Sequence, residues 1–165
     1  MVGKNKKAYL KINFEQGEKM KNIRIVSKTE VEGWVYSLHT TNPNVALGML
    51  FAGDRWSCVK EVVLASVDDK IIGIATIAPK GEVINGDPTI VAVYVIRDFR
   101  SSGIGYELLE TSVDYMISKG MVPIRIDVMN SKVFRMIKRL PIEKQEILSI
   151  ADHSMGGALD IILDM

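Results

Sequence analysis

Apolar positions recur along this chain with two periods, and the switches between them mark out its elements. Residues 22–27 read N-I-R-I-V-S and predict a strand. Thr29-Glu30-Val31-Glu32 has the form of a capping box, in which the threonine hydroxyl takes an orphan backbone N–H and Glu32 reaches back. Val31, Trp34, Val35 and Leu38 then fall on one helical face, up to a breaker at Thr40-Thr41-Asn42-Pro43-Asn44. Leu47, Leu50 and Phe51 suggest a short second helix ended near Gly53. Glu61–Val67 predicts a strand, Asp68-Asp69 a tight turn, and Lys70–Ala78 its antiparallel partner. Residues 89–96 (T-I-V-A-V-Y-V-I) form a near-continuous β-branched run, which suits a strand buried on both faces. Helical spacing returns over 104–119 through Ile104, Leu108, Leu109, Val113, Met116 and Ile117, with Gly120 where a left-handed C-cap belongs. A strand at 123–128, a helix at 131–140 stopped by Pro141, and two closing strands at 145–150 and 158–163 complete the order β-α-α-β-β-β-α-β-α-β-β. The expected architecture is α/β (α+β): a mixed, mostly antiparallel central sheet flanked by helices, in one domain over 22–165.

Composition narrows the function classes. The 165 residues suffice for one domain with its own core, and 25% charged with 47% apolar residues is ordinary for a soluble fold. A single cysteine, Cys58, excludes an intrachain disulfide framework and a cysteine-based zinc site. Two histidines leave little for a His-rich metal centre, so no metal is expected. No apolar stretch approaches the roughly 18 residues a membrane helix needs, and the N-terminal stretch lacks a clean apolar core and a small-residue cleavage site. A reducing, cytoplasmic compartment is the expectation. The formal charge of +1 gives no global argument for nucleic acid or a membrane as partner. Charge is uneven, however. Residues 1–28 hold eight Lys/Arg against Glu15 and Glu18, which marks 1–21 as a basic N-terminal extension. It reads either as a solvated arm, part of which (Tyr9, Ile12, Phe14) could add a strand, or as a contact for an acidic partner.

The segment Val93-Tyr94-Val95-Ile96-Arg97-Asp98-Phe99-Arg100-Ser101-Ser102-Gly103-Ile104-Gly105-Tyr106 is the most informative. A buried strand runs into a loop with two glycines that opens directly into a helix. The first N–H groups of a helix lack intrahelical partners, and its dipole favours negative charge there. Glycine allows a phosphate to approach the backbone, Ser101 and Ser102 can add hydroxyl donors, and Arg100 a guanidinium. A close-packing turn explains two such glycines equally well. The dinucleotide fingerprint fails, because Gly103-Ile104-Gly105 continues to Leu108, and no phosphate loop of the G-x-x-x-x-G-K-[ST] form exists.

V-x-V-x-x-x-x-R-x-x-G-x-G between a central strand and a long helix resembles the acyl-CoA signature of the GNAT superfamily of N-acetyltransferases. The likeness extends over the element order from Asn22 to Met165, including the 124–128 strand followed by Asn130 and the ending G-G-A-L-D-I-I-L. It implies acetyl-CoA as co-substrate, with the backbone from Arg100 through Ser101, Ser102, Gly103 and Ile104 to Gly105 cradling the pyrophosphate. It further implies that the main chain of Val93 and Val95 pairs with the pantetheine arm, that the Val95 N–H polarises the thioester carbonyl, and that Asn130 bonds the pantetheine or its neighbours. Arg97, Arg100, Lys132, Arg135, Lys138 and Arg139 surround this edge, either as attraction for CoA or as the solvated face of a short helix.

Direct transfer to an amine needs a neutral nucleophile and hence a base or water relay. Asp127 matches an acidic position that some members use as base; its plainer reading is a strand-end surface carboxylate. The family's usual tyrosine, seven residues after the asparagine, is replaced by Ile137, so Tyr106, Tyr94 or another phenol substitutes, or the thiolate leaves without a dedicated acid. Glu61 and His39 are further carboxylate and imidazole candidates that nothing in the sequence positions. Consecutive Asp152-His153-Ser154 cannot form a relay, since adjacent side chains diverge. The reading that follows is an N-acetyltransferase acting on a small-molecule or peptide amine by direct attack in a ternary complex. The alternatives are a CoA-binding sensor or scaffold without turnover, and a nucleic-acid- or partner-binding protein using the basic arm. The apolar strand at 158–163 is either internal or a pairing edge for a homodimer.

Overall fold

The computed structural model describes residues 8–14, 17–41, 55–80, 86–128 and 131–152. Among these residues seven strands form one sheet in sequence order: β1 (Ala8–Phe14), β2 (Gly17–Ser27), β3 (Glu61–Val67), β4 (Lys70–Ala78), β5 (Thr89–Val95), β6 (Ile124–Val128) and β7 (Leu148–Asp152). The first four junctions, β1 to β5, are antiparallel, and the last two, β5–β6 and β6–β7, are parallel. Parallel neighbours need crossover connections. Helix α3 (Ile104–Ser118) supplies the first, and α4 (Ser131–Arg139) with the single-turn α5 (Ile142–Gln145) the second. Before β3 stand α1 (Glu32–Thr41) and the short α2 (Arg55–Cys58).

The sheet separates two cores. On one face Ile104, Leu108, Leu109, Val113 and Met116 of α3, with Val133, Phe134 and Ile137 of α4, pack over Ile72, Ala75, Ile77, Ile90, Ile124 and Ile126. On the other, Val31, Val35 and Trp56 cover Val62, Leu64, Ile74 and Val91. β3 and β4 are buried along almost their whole length, as sheet strands covered on both faces must be.

Three local expectations change. Thr29 does not cap α1: Lys28–Glu30 form a 3-10 turn, α1 starts at Glu32, and the Thr29 hydroxyl lies 2.8 Å from that of Ser27. The closing strand expected at 145–150 begins at Leu148, because Pro141 starts a new turn as well as ending α4. Within that turn the Gln145 amide donates to the carbonyls of Leu140 at 2.7 Å and Lys138 at 3.2 Å, satisfying the end of α4. β2 starts at Gly17 rather than at 22 and runs unbroken across residues 21 and 22, paired with β1. The helix expected near 45–53 and the strand at 158–163 lie outside the described residues.

Candidate functional site

β5 is where the sheet opens. Its register with β4 shifts between Thr76 and Ile77: Ala92 faces Thr76 while Ile90 faces Ile77, leaving Val91 as an extra residue. Such a bulge bends a strand and increases its twist. Parallel pairing with β6 is accordingly confined to Thr89–Arg125 and Ile90–Ile126, whereas β6 stays paired with β7 as far as Val128. From Val91 onward, among the described residues, β5 has a strand neighbour on one side only.

The direction of the open backbone follows from alternation. The Ile96 N–H donates to the Ile72 carbonyl at 2.8 Å, so by alternation Tyr94 and Ala92 turn their main-chain polar groups toward β4 as well. Val93 and Val95 therefore turn theirs toward β6, into the opening. The Val95 carbonyl accepts a hydrogen bond from the Arg100 guanidinium Nε at 2.8 Å, and the same guanidinium sits 5.5 Å from the Tyr94 ring centroid. The side chains of Val93 and Val95 pack with the α3-side core.

Beyond Val95 the chain makes a 3-10 turn, Arg97–Phe99, closed by Phe99 and Arg100 N–H bonds to the carbonyls of Ile96 and Arg97. Ser101 (φ 67°) and Gly103 (φ 87°) then take left-handed conformations, and α3 starts at once. Ser102 Oγ donates to the Phe99 carbonyl at 2.5 Å. Gly103 caps α3 without any side-chain bond to the helix, and its carbonyl accepts a hydrogen bond from the Glu107 N–H at 3.1 Å. The N–H groups of Ile104, Gly105 and Tyr106 thus have no acceptor within the helix. Ser101, Ser102 and Gly103 are exposed. A Cβ at Gly103 would meet nothing within 4 Å, so its φ alone calls for glycine there. At Gly105 the reason is proximity: a Cβ would lie 3.1 Å from Met136 Sδ and 3.7 Å from Val95 Cγ2.

The structure thus brings Val93, Val95 and the Arg100–Gly105 loop to one end of the sheet, where β5 parts from β6. β6 carries Asp127 past its last pair with β5, to the position facing Ala151 of β7. Asn130, between β6 and α4, lies outside the described residues. Glu61 goes to the opposite end of the sheet, paired with Ile77, where its carboxylate accepts a hydrogen bond from the Tyr115 hydroxyl. Burial, that bond and the Glu61 charge hold the Tyr115 phenol well above its ordinary pKa of 10.0. Ile137, at the expected tyrosine position, is core. Tyr106 turns to the end of α4, its hydroxyl 3.3 Å from the Arg139 carbonyl and its ring 4.3 Å below the Arg139 guanidinium. Tyr94 turns to the α1 face, edge-on to Trp34 at 6.4 Å. Cys58 packs against the α1-side core.

Two residues at this end escaped the sequence reading. Gly73 of β4 faces Val95, and a Cβ there would come 2.9 Å from the Tyr94 carbonyl oxygen and 3.0 Å from Leu108 Cδ1. Lys21, counted with the basic extension, is buried and pairs with Glu107 in the first turn of α3. The alternation Lys21-Ile23-Ile25 was the available signal, since it puts all three on one face of β2.

A strand open at its carboxyl end, a short turn and a helix start whose first N–H groups have no acceptor within the helix together make a geometry suited to an anion. The family model described as "Acetyltransferase (GNAT) family" matches residues 33–138, and the chain belongs to that family. No curated protein sequence matches the chain. Solved structures share the fold. A predicted acetyltransferase with acetyl-CoA from Clostridium acetobutylicum is 19% identical over 73% of this chain and 88% of its own, with a TM-score of 0.51. A transcriptional regulator from Bacillus halodurans is 16% identical over 74% and 93%, also at 0.51. An aminoglycoside N-acetyltransferase in complex with CoA is 19% identical over 71% and 82%, at 0.50. Among the described residues no helix is long and apolar enough to cross a membrane.

Proposed function

We propose that this chain transfers an acetyl group from acetyl-CoA to a primary amine, a small molecule or a peptide, by direct attack in a ternary complex. The observation that carries this reading is the opening between β5 and β6, which leads along the main chain of Val93 and Val95 to the bare N-terminus of α3. In this reading the backbone N–H groups from Ser101 to Gly105, with the Ser101 hydroxyl, hold the pyrophosphate, while the Arg100 N–H and the Ser102 hydroxyl brace the loop on the carbonyls of Arg97 and Phe99. The Val93 main chain pairs with the pantetheine arm as an added strand would, and Asn130 bonds the same arm. The donor supplies the acetyl group already activated as a thioester. The Val95 N–H, directed into the opening, donates toward the thioester carbonyl where negative charge develops. Arg100, which holds the Val95 carbonyl, fixes the orientation of that strand end.

The amine must present a lone pair, so a proton has to leave it before or during attack; the new C–N bond forms as the thioester C–S bond breaks, and CoA departs as its thiolate, which is protonated from water. Asp127, at the end of β6 beyond the last β5 pair, is the residue we assign to receive it, directly or through water. The Cys58 thiol, packed on the α1 side, has no part in this scheme. A reducing cytoplasm fits both the single cysteine and this substrate.

One observation favours a second reading, a CoA-binding sensor or scaffold without turnover. Ile137 is buried in the core, and the hydroxyl of Tyr106 is directed at the Arg139 carbonyl and Glu110, so neither serves as an acid for the departing thiolate. Thiol release from acetyl-CoA, followed across a panel of primary amines, tests the two against each other. Amine-dependent release supports the transferase. Tight acetyl-CoA binding with no release above background for any amine supports the sensor.

A further inference from the structure

The first turn of α3 carries a carboxylate. Glu107 is the acidic residue of that turn, and its own N–H closes the turn onto Gly103. A negative charge at a helix N-terminus stabilises the helix, yet beside amides that are to hold a polyanion it is the wrong sign. The structure answers this charge from another part of the chain. Lys21 lies on β2 opposite Val67, with its side chain 7% exposed, and its ammonium donates to Glu107 Oε2. A lysine buried this far is costly unless paired. Arg97 and Arg100, the nearby cations of the loop, are exposed, and Arg100 is directed to the Val95 carbonyl.

We propose that Lys21 is a positioning residue for the acyl donor: by pairing with Glu107 it cancels the carboxylate in the first turn of α3 and leaves that helix end attractive to phosphate. The proposal rests on the acetyl-CoA reading above. It assigns an electrostatic task to a residue of the first hairpin, which otherwise stands apart from the site.

The test compares acetyl-CoA affinity, by calorimetry at low and high ionic strength, in the parent, K21M, E107Q and the K21M/E107Q double variant, with thermal melting to report folding. K21M should weaken binding about fivefold at low ionic strength, and salt should shrink the loss. E107Q should tighten binding, again more at low salt. The double variant should return to within about twofold of the parent, because the uncompensated charge is gone although the contact is not restored. A double variant as weak as K21M overturns the proposal, since the contact would then matter as structure alone. So does parent-like affinity in K21M. If K21M fails to fold, E107Q and the double variant decide: unchanged affinity in E107Q overturns the proposal. A parent that binds no acetyl-CoA removes the underlying reading instead, and is told apart by needing no variant.

Discussion

Val95 and Gly73 face each other across β4 and β5 so closely that a Cβ at Gly73 would lie 3.4 Å from Val95 Cγ2, 3.0 Å from Leu108 Cδ1 and 2.9 Å from the Tyr94 carbonyl oxygen. Two of these neighbours belong to the strand end we assign to the acyl donor, and one is backbone that cannot turn aside. Gly73→Ala should therefore cost about 1–3 kcal/mol of stability, as overpacking does, read from the urea midpoint. A neutral result would mean that β4 and β5 give way here.

Gly103 supplies a contrast, because nothing stands within 4 Å of a Cβ there while φ is +87°. Gly103→Ala should cost about 1–2 kcal/mol through backbone strain. Gly103→Asn should cost less, because asparagine tolerates the left-handed region. Equal losses for the two would point to packing instead.

Thr76 is fully buried on β4, and its hydroxyl has no partner among the described residues. A buried hydroxyl without a partner opposes folding, and valine has nearly the same shape. Thr76→Val should leave stability unchanged or raise it by about 1 kcal/mol. A loss above that, in a denaturant titration, would show that the hydroxyl is satisfied.

Tyr115 sets a pH dependence of stability. Its folded-state pKa is raised above the ordinary 10.0 by burial first, then by the hydrogen bond to Glu61 and that carboxylate's charge. The native state thus keeps a proton that the unfolded chain gives up, and stability falls as pH rises above about 10. Tyr115→Phe should flatten that fall from about pH 10 upward, while lowering stability at neutral pH through the lost bond. An unchanged slope would sink the assignment.

Asp127→Asn tests the proposed base. Turnover should drop by about 10²- to 10⁴-fold with acetyl-CoA affinity nearly intact. Full activity at neutral pH would return Asp127 to the role of a strand-end carboxylate.

Much of this was legible beforehand, for physical reasons. β3, β4 and their Asp68-Asp69 turn follow from two short, mostly apolar runs rich in β-branched residues and bounded by turn residues, and α3 follows from apolar spacing with glycine at each end. The loop from Arg97 to Gly105 was legible because its chemistry is local: glycines, serines and a helix start are contiguous. What pattern cannot carry is which strand pairs with which, and how far. The opening between β5 and β6 depends on Val91 being an extra residue in the β4–β5 register, and nothing in T-I-V-A-V-Y-V-I marks that position. By charge alone Lys21 belongs with a basic arm, whereas the alternation with Ile23 and Ile25 places it on the buried face. Its partner, Glu107, is 86 residues away, a separation no local pattern reaches.

The central claim is that the first turn of α3, whose leading N–H groups have no acceptor within the helix, receives the acyl donor's phosphates beside the open edge of β5. Gly105 stands in that turn, and Met136 Sδ, the nearest atom to a Cβ there at 3.1 Å, belongs to a flexible side chain that can give way. Calorimetric titration of acetyl-CoA into the parent and into Gly105→Glu tests the claim directly. The account predicts micromolar binding by the parent and none by a Gly105→Glu variant that melts as a folded protein. No binding by a well-folded parent, or equal binding by the two, would contradict it.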